Sequence, residues 1–128
     1  MSLRETLRVM VVDDMSTSRG LLLKALEEIG IRHVGFETTG LRAVTALESS
    51  PTHLVLSDFN MPELDGLGLL AQLRSRPSTR AIGFILVTGR ADPATIEAGR
   101  RLGMNNVLLK PFGVPDLRNC IEAVVGRL

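Results

Sequence analysis

The sequence predicts an α/β fold, a doubly wound five-stranded parallel sheet with five helices. Two observations predict it. Short apolar runs alternate with amphipathic stretches from end to end, so each helix serves as a right-handed crossover between parallel strands. The clearest strand candidates are nearly continuous in apolar residues, as strands covered on both faces are.

The elements follow in order. Arg8 to Val12 reads as a first strand, and Ser16 or Thr17 can cap the helix behind it, with Leu22, Leu26 and Ile29 on one face. Gly30 stops that helix, and His33 to Thr38 is a weaker second strand. Leu41, Val44 and Leu47 space a second helix, closed by Ser49, Ser50 and Pro51. Leu54 to Ser57 is the third strand and the clearest core segment. A third helix carries Leu67, Leu70 and Leu73 and ends at the "RPS" around Pro77. Ile82 to Thr88 is the fourth strand, and Pro93 fits the first turn of a fourth helix that runs to about Leu102. Val107 to Leu109 is a fifth strand. Pro115 opens a last helix with Leu117, Ile121, Val124 and Leu128 inward.

Composition narrows the class. A chain of 128 residues is one ordinary domain, and 45% hydrophobic with 23% charged residues is globular rather than disordered. A formal net charge of +1 offers nothing that would draw nucleic acid. No apolar run approaches the roughly 20 residues of a membrane span, and the start does not read as a signal peptide. The single cysteine, Cys120, excludes an internal disulfide and fits a reducing cytoplasm. The expectation is one cytoplasmic, monomeric domain over residues 1–128, with no second domain to carry an output.

Ligands in such a sheet bind outside the carboxyl ends of the strands. Those ends carry Asp13 and Asp14, then Asp58 with Asn60 beyond it, then Thr88, then Lys110 and Pro111. Carboxylates at about 5 Å and an effective dielectric near 20 repel by roughly 3 kcal/mol per pair. Either some are protonated or a cation sits among them, and an all-oxygen site open to water suits Mg²⁺. A metal alone needs neither Thr88 nor Lys110. A phosphoryl group needs both, as a hydroxyl donor and a positive charge for its oxygens. Asp58, at the end of the third strand, then reads as the nucleophile, with the Met61-Pro62 bend holding the loop behind it.

The segments "VMVVDDMSTSR", "LVLSDFNMPELDGLGLL", "FILVTGRAD" and "VLLKPF" together resemble the receiver domains of two-component signalling, most closely single-domain chemotaxis response regulators of the CheY type. The resemblance covers the whole chain and implies a flavodoxin-like fold. It implies an acidic pair at Asp13 and Asp14, a phosphoacceptor at Asp58, and a Mg²⁺ contact through the Asn60 carbonyl. It further implies a switch hydroxyl at Thr88, a phosphate-binding lysine at Lys110 and a cis Lys110-Pro111 bond. A sensor histidine kinase would be the phosphoryl donor and a flagellar motor switch protein the output partner.

One position departs from the family. Three residues before the lysine such domains usually carry an aromatic side chain, and here it is Val107. The alternative is a phosphate sink or relay intermediate that competes for kinase phosphoryl groups and binds no motor. A haloacid-dehalogenase-like phosphatase would need an acid/base aspartate where Asn60 stands, and Asn60 cannot transfer a proton. His33 and His53 have no partner at metal-ligand spacing, and Arg100, Arg101 and Arg118 read first as a solvated face.

Overall fold

The computed structural model describes residues 2–90 and 92–128. Met1, the first residue of the expected domain, and Ala91, within the quoted "FILVTGRAD", lie outside the described residues. The elements are α1 (Leu3–Thr6), β1 (Arg8–Val12), α2 (Ser16–Ile29), β2 (His33–Glu37), α3 (Gly40–Ser49), β3 (Leu54–Asp58), α4 (Gly66–Arg74), β4 (Gly83–Thr88), α5 (Pro93–Arg101), β5 (Asn106–Leu109) and α6 (Val114–Val125). The strands form one sheet in the order β2-β1-β3-β4-β5, with every neighbouring pair parallel. The doubly wound class is thus the fold. The strand order reverses between β1 and β3, which opens a crevice at their carboxyl ends.

Alternation along the strands sorts the core into two layers. Val9, Val11, Leu54, Leu56, Ile85 and Val87 face α2 and α6. Met10, Val12, Val55, Phe84 and Leu86 face α3 and α4. All five residues of β3 are buried, so the strand that ends in Asp58 is the most enclosed element of the sheet. Edge strand β2 is mostly exposed, and the Arg19 guanidinium lies 5.0 Å from the centre of the exposed Phe36 ring on it.

Several expectations need correction. Six helices are described rather than five, because α1 is a single turn of four residues, too short to show a period. Neither Ser16 nor Thr17 caps α2. Met15 occupies the cap position without a side-chain bond, and the Asp13 carboxylate instead accepts the Met15 N–H at 2.9 Å. Leu41, one of the three residues that space this helix, is 53% exposed, while Ala43 is buried beside Val44 and Leu47. Helix α4 ends at Arg74, before Pro77, and the Arg74 guanidinium bonds the carbonyls of Arg80, Ile82 and Gly103. Leu128 lies past the end of α6, yet it packs partly buried against the same core layer.

Candidate functional site

The ends of β1, β3, β4 and β5 build one rim. Asp13 follows β1 directly, and its N–H donates to the Glu37 carbonyl at 3.2 Å, extending the ladder one residue past the strand. Its side chain is wholly buried; Oδ1 accepts from the Met15 N–H, and Oδ2 has no hydrogen-bond partner among the described residues. The Arg19 guanidinium donates to the Asp13 carbonyl at 3.0 Å and so ties this turn to α2. Asp14, the next residue, is exposed.

Asp58 is the last residue of β3 and is held on both sides of its strand. Ser57 pairs with Val12 on β1, and Asp58 itself pairs with Val87 on β4. The Phe59 N–H donates to the Val87 carbonyl at 3.1 Å, so the backbone stays registered past the carboxylate. Asp13, Asp14 and Asp58 each offer a carboxylate oxygen, all within 4.8 Å of one another. Burial pushes the Asp58 carboxyl above the ordinary carboxylate range. The Lys110 ammonium pulls it back, and the Asp13 charge pushes it up again.

Lys110 follows β5, its backbone N–H donating to the Thr88 carbonyl at 2.8 Å. Its Nζ lies 2.9 Å from Asp58 Oδ1 and 2.9 Å from Ser18 Oγ. The Lys110-Pro111 peptide is cis. Thr88 ends β4 and is buried, but its hydroxyl is engaged by its own loop. Oγ1 accepts from the Arg90 N–H at 3.3 Å and lies 3.4 Å from the Arg90 carbonyl. Asn60 is exposed at the start of the loop after β3. The structure therefore gathers Asp13, Asp14 and Asp58 and puts Lys110 on Asp58, while the Thr88 hydroxyl bonds its own loop and Asn60 is exposed.

The loop behind Asp58 bends as the Met-Pro pair suggested. Met61 is buried among the α3 and α4 side chains, Leu64 N–H donates to the Pro62 carbonyl at 2.8 Å, and Glu63 between them takes φ 68°. Two residues escaped sequence reading. Gly66 opens α4 so close to β3 that a Cβ there would lie 2.6 Å from the Asp58 carbonyl. The "DG" pair was the available signal, and it reads equally as an ordinary turn. Ser18 contacts Lys110 across the fold, and no local spacing reports that contact.

The donor set fits a hard divalent cation. Three carboxylates share one small volume, one of their oxygens is buried without a partner among the described residues, and among those residues no histidine or cysteine joins the cluster. Asp13→Asn tests the strain this imposes. An amide at the Oδ2 position removes one charge and can donate to a neighbouring carboxylate. The metal-free variant should gain about 1 kcal/mol or more in chemical denaturation. Equal or lower stability would mean that the buried oxygen is accommodated without cost.

Comparison with known proteins decides the family. The model of the response regulator receiver domain matches residues 9–122. The chain belongs to that family. This receiver domain is 41% identical over 128 residues to a probable chemotaxis protein CheY of Rhizobium etli, covering 100% of this chain and 99% of the relative. It is 31% identical over 121 residues to chemotaxis protein CheY1 of Helicobacter pylori, covering 94% and 98%. Among solved structures it is similar to the receiver domain of a sensor histidine kinase from Pseudomonas aeruginosa, described with a magnesium ion coordinated in the active-site cleft. The TM-score there is 0.84 at 26% identity, covering 94% of this chain and 98% of that one. The receiver domain is thus a CheY-type signalling module, and among the described residues no helix is long and apolar enough to cross a membrane.

Proposed function

We propose that this domain is a phosphorylation-activated switch in which Asp58 accepts a phosphoryl group from the phosphohistidine of a CheA-like sensor kinase. The observation that carries the reading is the carboxylate of Asp58, aimed from a fully buried strand into an acidic cluster with an ammonium at 2.9 Å. A carboxylate oxygen of Asp58 attacks phosphorus, the bond from phosphorus to the donor nitrogen breaks, and the imidazole leaves with the electron pair. In the separate dephosphorylation step water attacks phosphorus, the bond to Asp58 breaks, and inorganic phosphate and the carboxylate are released. The domain acts on itself and turns over no external substrate.

Asp13, Asp14, Asp58 and the Asn60 carbonyl would hold Mg²⁺, with Asp13 acting through water, and the ion would neutralise charge on the phosphoryl oxygens. Lys110 supplies a point charge to the same oxygens, and the β3 ladder fixes the nucleophile. Metal removal is the test. Incubation with acetyl phosphate should label the protein in the presence of Mg²⁺ and fail with a chelator. Labelling at an unchanged rate in chelator would remove the metal from the mechanism.

The output would run through Thr88. Its hydroxyl bonds only the backbone of Arg90 in the described residues, so turning toward a phosphoryl group on Asp58 releases that loop. Val107 is half-buried on β5, and a short β-branched side chain has few rotamers with which to report the change. Thr88→Ala is therefore expected to leave labelling of Asp58 within about a factor of three while abolishing the phosphorylation-dependent gain in partner affinity. A preserved gain would place the switch elsewhere.

The unit is read as residues 1–128, monomeric and cytoplasmic, with a flagellar motor switch protein as partner. Val107 in place of a ring favours one second reading, a phosphate sink or relay intermediate without motor binding. Absence of motor-protein binding in both states would select it.

A further inference from the structure

We propose that Ser18 is a positioning residue for Lys110, an inference that rests on the phosphoacceptor reading above. A lysine ammonium is a compact charge on a flexible four-carbon stem, with three donors to place. Lys110 Nζ spends one on Asp58 Oδ1 and another on Ser18 Oγ, both at 2.9 Å, in a half-buried setting. A single bond to Asp58 would leave the ammonium free to pivot about that carboxylate. The second anchor removes the freedom.

Ser18 is suited to this by its place and its charge. It sits in the first turn of α2, whose Leu22 and Leu26 are wholly buried, so the packing of the helix locates its hydroxyl. The hydroxyl is neutral and accepts from the ammonium without competing for its charge. When Asp58 becomes an acyl phosphate, its carboxylate charge moves onto the phosphoryl oxygens, and Lys110 must exchange one acceptor for another. The bond to Ser18 can persist through that exchange and hold Nζ within reach of the incoming group. The anchor lies 92 residues away in sequence, on an element that carries none of the phosphoacceptor chemistry.

The experiment measures the rate of labelling by acetyl phosphate and Mg²⁺ for the full chain and its variants. Ser18→Ala should label about tenfold more slowly, the loss expected for one hydrogen bond to a charged group. Ser18→Thr, which keeps the hydroxyl, should stay near the parent rate. In a Lys110→Ala background, Ser18→Ala should cause no further loss, since its effect passes through that ammonium. The Mg²⁺ concentration that half-saturates a thermal shift should be the same for Ser18→Ala and the parent. Should Ser18→Ala fold poorly, Ser18→Cys retains the shape with a weaker acceptor and should also slow labelling. An unslowed Ser18→Ala, or losses that add independently in the double variant, would overturn the inference alone. A parent protein that takes no label at all would overturn the phosphoacceptor reading and this inference with it.

Discussion

Asp58→Asn should take up no phosphoryl group from acetyl phosphate or from a phosphorylated kinase. The substitution keeps the shape and one oxygen that can still accept from Lys110, so the pairing seen at 2.9 Å has a neutral replacement. What it removes is the nucleophile. The neighbouring carboxylates cannot readily substitute, because Asp13 is wholly buried with one oxygen bound to the Met15 N–H, and Asp14 stands exposed outside the strand ladder.

The same variant has a pH signature in metal-free buffer. Burial raises the Asp58 carboxyl above its usual value of 3.8. A group with a raised folded-state pKa contributes stability that is fully present below its unfolded value and lost as pH rises through the folded value. At neutral pH the charged form is therefore a cost to the fold, and Asp58→Asn should melt at a higher temperature than the parent. The advantage should shrink as pH falls toward 4, measured by thermal denaturation across that range. A variant that melts lower at neutral pH would show that the Lys110 attraction outweighs burial.

Lys110→Ala should slow labelling by about a hundredfold, the usual loss when a positioned donor to a developing anion is removed. The ammonium touches the nucleophile directly, so its deletion is felt in chemistry rather than in output. Lys110→Arg should not restore the rate, because a planar guanidinium demands a different geometry from a point charge held between Asp58 and Ser18. Beryllofluoride, which occupies the phosphoryl position, should bind more weakly in both variants, as followed by amide chemical shifts. Labelling of Lys110→Ala at the parent rate would remove the ammonium from the transfer step.

Most of the fold was legible because period and punctuation report buried strands well. Leu54 to Ser57 has the continuous apolar run of a central strand, and the residues at the ends of four strands mark the rim. The failures have physical causes. Four residues of α1 carry no measurable period. The start of α2 could not be read from Ser16 and Thr17, because Asp13, itself a member of the acidic cluster, takes the Met15 N–H that begins the turn. Leu41 is exposed and Ala43 buried, and a small residue with a weak hydropathic signal does not announce an inner position. In the site, the carboxylates and Lys110 were legible from residue type at a strand end. The contact of Ser18 with Lys110 and the approach of Gly66 to Asp58 depend on how helices pack on the sheet, which no local spacing encodes.

The central claim is that a covalent bond forms between phosphorus and Asp58. Borohydride reduction after brief exposure to acetyl phosphate and Mg²⁺ converts an aspartyl phosphate to homoserine, which peptide mass spectrometry can place at a single position. Conversion at residue 58, absent without acetyl phosphate and absent in the chelated sample, is the expected result. Phosphate retained on Ser18 or conversion at Asp13 or Asp14 with residue 58 untouched would contradict it.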